Sequence, residues 1–357
     1  MAPAKKIIKK PSSTEPAPDS AFLKALRDFT SHVSYHRFSL SSAVPDAIAA
    51  TISSSADAAP PLKALSDLGA LVHSRATNFS LACRPPITVD AAKKSLEELS
   101  GLVGPLAAAV YCTLPEKHGR SLYETAQQNV SLVFSGMEAL ASELIPADES
   151  SQRGRLASTG VLWEACNDLT ALNNLGLHGI VQKKVEGYKS MLQDAIEDLE
   201  GWIENGGDDE DEDWDDAFGD NDSETEDSGD EEGGGKELDP ASEAQIEYAK
   251  ATVRRLKTIS ALYARLNASR LKPTPSLTPA PEDIASIDTI ADLAKQLSVE
   301  TDELVCKIQE RALQAEVSAL DKEICEKARE LMEVGRVKEK ESEDVRKWWE
   351  EVEARLK

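Results

Sequence analysis

Residues 208–232 read DDEDEDWDDAFGDNDSETEDSGDEE, and Gly233, Gly234 and Gly235 follow. Sixteen of these 25 residues are Asp or Glu and none is Lys or Arg. Packing such a run would crowd like charges together and strip each carboxylate of water, so no core can contain it. It reads as a disordered acidic linker, and it cuts the chain into parts that must each find their own core. The whole chain has 357 residues and a net charge of −24. Most of that charge sits in this one stretch, so the acidity is local. A tract of this kind repels nucleic-acid phosphate and attracts basic partners such as histones or basic helices. Direct nucleic-acid binding is not expected.

On both sides of the stretch the apolar residues keep a helical period. Phe22, Leu26, Phe29 and Val33 share one face of a first helix that starts at Asp19 or Ser20 and runs to about Phe38. Further helices are expected over 42–51 and 59–82. Thr88 caps the next, with Val89, Ala92, Leu96, Leu99, Val103, Leu106 and Val110 on its face; Pro105 inside it predicts a kink or a break. Leu122, Ala126, Val130, Val133, Met137, Leu140 and Leu144 then form a narrow seam of the kind found in antiparallel bundles. One helix follows around Trp163 and Cys166, and another from Val181 to Ile203. Beyond the linker, a helix is expected to begin with Pro240 at its first position. A short helix over 284–297 and a separate one capped by Ser298 come next. The chain ends on a charged amphipathic helix with Trp348, Trp349, Val352 and Leu356, expected to pack back on its neighbours.

No period-two strand pattern interrupts these helices. The expected fold is all-α: two helical-bundle halves of long antiparallel helices separated by the disordered acidic linker. The divisions are a basic tail at 1–17, an N-terminal bundle at 18–204, the linker at 205–238 and a C-terminal helical region at 239–357. In the tail, Lys5, Lys6, Lys9 and Lys10 surround two isoleucines and form a candidate nuclear-import signal. The five cysteines (83, 112, 166, 306 and 325) include no CxxC pair and fall in apolar helical patterns, which predicts buried reduced thiols. No apolar run reaches the ~18–20 residues of a membrane span, and the first residues lack a signal-peptide core. Nucleus and cytoplasm are the expected compartments.

The search for chemistry is negative. HExxH, GxSxG and GxGxxG are absent, and Gly235-Lys236 is followed by Glu237, so no phosphate-binding loop is present. Read as a calcium loop around Gly229, the acidic stretch puts Gly235 where a bidentate Glu is required. His32 and His36 stand four apart, a chelating spacing, with no third ligand nearby. No cofactor, no metal and no enzymatic activity are expected. Two features of the stretch go beyond a spacer. Trp214 and Phe218 are four apart among carboxylates, so one helical turn would align them as a docking element for a basic groove. Ser223 and Ser228 each have Glu three residues on, the context that acidophilic kinases prefer.

Three strings carry a family likeness: AVYCTLPEKHGRSL at 109–122, VLWEAC at 161–166, and IDTIADLAKQLSVETDELVCKI at 287–308. Their order, with an acidic insertion between helical halves, resembles the cyclin-D-binding (cyclin-D-interacting) protein family. The resemblance implies an all-helical interaction protein of nucleus and cytoplasm. It would bind a cyclin or a helix-loop-helix transcription regulator and restrain cell-cycle progression or transcription. Members are described with leucine-zipper labels; here Leu313 and Leu320 are followed at heptad steps by Lys327 and Val334, so no zipper is expected. The alternative reading is an acidic, chaperone-like binder of histones or other basic proteins through residues 208–232.

Overall fold

The computed structural model describes residues 20–41, 60–84, 86–145, 155–207, 241–273, 279–336 and 342–356. All regular structure among them is helical, so the fold is all-α, as the periodicity requires. The expected helix over 42–51 lies outside the described residues. By contacts the chain divides into two compact units, one up to Gly176 and one from Leu177 onward.

The first unit contains α1 (Ser20–Leu40), α2 (Pro61–Ala82), α3 (Val89–Cys112), the single turn α4 (Pro115–His118), α5 (Arg120–Ser142) and the first arm of α6 (Arg155–Glu204). Phe22, Leu26, Phe29 and Val33 are buried along α1 and meet α3 and α5. Burying each such side chain stabilises the fold by about 1.5–3 kcal/mol. The first arm of α6 comes close to two neighbours at glycines. A Cβ on Gly136 of α5 would stand 3.0 Å from the Leu162 Cβ, and one on Gly69 of α2 would stand 3.1 Å from the Cys166 carbonyl oxygen. Trp163 donates its indole N–H to Thr77 Oγ1 at 3.1 Å and stacks on His73.

Two expectations in this unit are corrected. Thr88 occupies the N-cap of α3, but its side chain makes no capping hydrogen bond; the residue is exposed, with ψ at 87° instead of the extended value that aims a cap inward. Of the kink or break expected at Pro105, the break does not occur: α3 runs through it. Pro105 and Gly101, whose carbonyl loses its donor, are both exposed, so water can take the hydrogen bond that proline cannot make.

At Gly176 (φ 58°, ψ −170°) α6 leaves helical geometry for one residue. Its second arm belongs to the second unit, with α7 (Glu243–Ser269), α8 (Pro281–Gln309), α9 (Gln314–Gly335) and α10 (Glu343–Arg355). Tyr263, fully buried on α7, donates to the Ala294 carbonyl on α8 at 2.9 Å. α10 packs back on α7, with Trp349, Val352 and Leu356 buried.

Two helix starts differ from expectation. Pro240 lies outside the described residues, and α7 begins at Glu243 behind a capping box in which Ser242 and Gln245 each bond the other's backbone N–H. Ser298 caps nothing. It is buried inside a continuous α8, because Ile290, Ala294, Leu297, Thr301, Leu304 and Ile308 keep one apolar face without a step.

The second arm of α6 ends at Gly206 (φ 72°) and Gly207 (φ 86°), with Gly207 N–H bonded to the Trp202 carbonyl at 2.9 Å. Gly207 is buried against Ala241: an added Cβ would stand 2.2 Å from the Ala241 Cβ. The two residues that flank 208–240 therefore touch. The stretch read as a linker between halves leaves and re-enters the same unit. Arg311, left-handed at φ 57° in the α8–α9 turn, donates to the Gly207 carbonyl at 2.8 Å.

Candidate functional site

α7, α9 and α10 enclose a groove of about 840 Å³ in the second unit. The α7 face brings Ala251, Arg254, Arg255, Thr258 and Ala261 to it, spaced by three and four residues. α9 contributes Asp321, Lys322, Cys325 and Arg329, and α10 contributes Trp348, Val352 and Arg355. Small and apolar side chains share this lining with charged ones: Arg255 and Asp321 are half-buried in it, and Arg254, Lys322 and Arg355 are exposed.

One carboxylate among these cations organises the wall. Asp321 accepts from Arg255 through Nε at 3.0 Å and Nη2 at 2.6 Å, and from the Tyr248 hydroxyl at 3.0 Å. Bidentate, charge-assisted pairs of this kind fix geometry as well as charge. Burial, with the Asp321 charge next, pushes the Tyr248 phenol up, so it stays a protonated donor. Burial also pushes the Cys325 thiol up. Arg265 lies 5.8 Å from the Trp348 ring centre, holding the indole at the rim.

Arg254, Lys322 and Arg355 are exposed and pair with carboxylates of their own helices, Glu247, Glu326 and Glu351, and Arg254 Nε also donates to the Lys250 carbonyl at 3.2 Å. Such pairs are worth little. Arg329 lines the groove with a buried Nε that has no hydrogen-bond partner among the described residues. The groove is thus an apolar trough with a basic rim.

Elsewhere the perturbed thiols, phenols and imidazoles shift toward their neutral forms. Burial raises the Cys166 thiol to about 12 and pushes the Tyr263 phenol up. It lowers His118 and His178, and His36 with help from His32. His32 and His36 are 4.9 Å apart, edge to face, and His32 Nδ1 lies 3.2 Å from Ser100 Oγ. No group of three His, Cys, Asp or Glu suited to a metal occurs among the described residues. No helix among them is long and apolar enough to cross a membrane.

The cysteines divide. Cys83, Cys166 and Cys325 are buried, Cys112 is half-buried, and Cys306 is exposed on α8, against the expectation that each is buried. None of the five forms a disulfide. The residues singled out from sequence (Lys5, Lys6, Lys9, Lys10, Trp214, Phe218, Ser223 and Ser228) lie outside the described residues. Sequence reading missed the groove, whose basic residues come from three helices and whose linear spacing carries no motif.

The profile of the Grap2 and cyclin-D-interacting family, N-terminal part, matches residues 64–205, from α2 to the end of α6. An uncharacterized protein of Schizosaccharomyces pombe is 33% identical over 256 residues, covering 70% of this chain and 71% of its own length. The chain belongs to this family. The cyclin-D1-binding protein 1 homolog of Xenopus laevis is 33% identical over 129 residues, 35% of this chain and 38% of that protein. Membership in the Grap2 and cyclin-D-interacting family gives the chain a protein-interaction role.

Proposed function

We propose that this chain is a non-enzymatic interaction regulator that binds a cyclin or a helix-loop-helix transcription regulator and thereby restrains cell-cycle progression or transcription. The observation that carries this reading is the likeness to a relative named for binding cyclin D1. The chemistry of the described residues supports it. Their perturbed thiols and phenols are held protonated and their perturbed imidazoles neutral, the reverse of an activated nucleophile. Nucleus and cytoplasm are the proposed compartments, with Lys5, Lys6, Lys9 and Lys10 as the import signal. Ser223 and Ser228 are proposed kinase targets, to be checked by intact mass of cell-derived protein.

Proximity labelling in cells, followed by pull-down of purified cyclins and helix-loop-helix factors, tests the proposal. A partner set without any cyclin or transcription regulator overturns it. Deleting 208–232 separates it from the alternative, histone binding through that stretch. Partner binding that survives the deletion supports the regulator. Histone capture that disappears with the stretch supports the chaperone-like reading.

A further inference from the structure

The groove and the acidic stretch are complementary in three respects, and both belong to the second unit. The first is charge. Arg254, Arg255, Lys257, Lys322, Arg329 and Arg355 line the groove with Asp321, and Arg254, Lys257, Lys322 and Arg355 hold only exposed ion pairs, with Glu247, Glu200, Glu326 and Glu351, while residues 208–232 hold sixteen carboxylates and no cation. The second is apolar character. The lining offers Ala251, Ala261, Val352 and the Trp348 ring, and the stretch carries Trp214 and Phe218 four residues apart.

The third is reach. The stretch re-enters the fold beside Ala241, two residues before α7, and α7 itself forms one wall of the groove. At ~1.5 Å per helical residue, Ala251 to Ala261 lie ~12–27 Å along α7 from its first turn. Trp214 is seven residues from the anchor at Gly207 and, at ~3.4 Å per extended residue, reaches ~24 Å; Phe218 reaches ~37 Å. The tether suffices without moving any helix. Because stretch and groove are joined, the local concentration of carboxylate at the rim is on the order of millimolar, whatever the protein concentration.

We infer that the acidic stretch of this chain, through Trp214, Phe218 and the carboxylates around them, occupies the basic groove of α7, α9 and α10 in cis. The aromatic rings lie on the apolar floor, and the carboxylates meet the rim cations whose existing partners are exposed and weak. An acidic partner protein reaching the same groove would have to displace the chain's own segment. The inference concerns the groove alone and does not depend on the identity of any cyclin or transcription partner.

The test uses the full chain, a chain lacking 208–232, and a fluorescent synthetic peptide of residues 208–232. The deleted chain is expected to bind the peptide, and the full chain to bind it at least ~10-fold more weakly because its groove is filled. Raising salt from ~0.05 to ~0.5 M is expected to weaken binding to the deleted chain ~10-fold or more. The exposed pair of substitutions Arg254→Glu and Lys322→Glu is expected to abolish binding, while Arg254→Lys preserves it. Carbodiimide crosslinking of the full chain is expected to join Lys257 or Lys322 to carboxylates of 208–232 within monomers. Equal peptide binding by full and deleted chains overturns the inference, as does binding that ignores the charge reversals. Crosslinks found only in dimers overturn it too, in favour of a second copy as the occupant.

Discussion

Gly136 and Gly187 show how one substitution changes sign with its surroundings. Gly136 lies where α5 meets the first arm of α6, and a Cβ there would be 3.0 Å from the Leu162 Cβ and 3.1 Å from its Cα. Gly187, exposed within α6, has nothing within 4 Å of that position. Gly136→Ala should destabilise the protein by about 1–3 kcal/mol through overpacking, and Gly187→Ala should stabilise it by about 0.5–1 kcal/mol. Urea melts of both variants check the pair; equal shifts would refute the close approach. Cys166 gives a pH prediction at the same scale. Its thiol is raised from 9.0 to about 12 by burial, so above pH 9 the unfolded chain loses a proton that the folded chain keeps. Its contribution is whole below pH 9 and is lost as pH climbs toward 12, at up to about 1.4 kcal/mol per pH unit. Cys166→Ala should flatten the decline in stability between pH 9 and 10, and an unchanged slope would count against this. The cysteines also show where residue-level reading stops. Cys306 sits in a buried-looking run with Leu304, Val305 and Ile308, yet it turns to solvent beside Asp302 and Glu310. A helical face is about 100° wide, and a thiol one step around it is exposed. In native protein near neutral pH, an alkylating reagent should therefore label Cys306 first. It should do so slowly, because burial and those carboxylates hold its thiol up.

Helix starts tell the same lesson one level up. The sequence places two hydroxyls at apparent caps, Thr88 and Ser298, and misses the one that works. Ser242, with Gln245 three residues on, satisfies the backbone in both directions; Pro240, two residues earlier, drew the prediction away from it. Ser298 reads as a cap because an acidic run follows it, but the apolar face of α8 passes through it unbroken and tertiary burial decides. Thr88 has the right place and the wrong backbone angle. Ser242→Ala should therefore cost about 1 kcal/mol, while Thr88→Ala should change stability by less than about 0.5 kcal/mol. Denaturant melts with unchanged slopes would establish both, and a large loss at Thr88 would show a cap that the geometry denies. What was legible at this scale is what periodicity encodes: the buried stripe of α1, the face of α3 and the seam of α5. Gly176, where α6 passes from one compact unit to the next, falls between the two helices expected around Cys166 and from Val181. What was not legible is that the break is a single residue, with helix continuing directly on both sides of it.

At the scale of the molecule, the acidic stretch was legible as a charge anomaly but not as an insertion. Sequence shows that 208–232 cannot join a core; only the contact of Gly207 with Ala241 shows that its flanks meet within one unit. The groove was illegible for a related reason, since its cations come from three helices that are distant in sequence. The contact of the flanks makes a quantitative claim about stability. If residues 207 and 241 already touch, the stretch closes a loop, and its entropic cost grows by about 0.6 kcal/mol per doubling of length. Removing 208–232 leaves only 233–240 to span the closed ends, about two halvings of the loop, and should stabilise the second unit by about 1 kcal/mol. Relief of repulsion among the sixteen carboxylates adds to this. The measurement belongs at ~0.5 M salt, where any electrostatic docking of the stretch is screened. There, a thermal or urea melt should show the deleted chain at least as stable as the full one, with unchanged helical circular dichroism. A loss of about 1 kcal/mol or more would mean that the stretch supports the helices around it, and that its ends do not meet on their own.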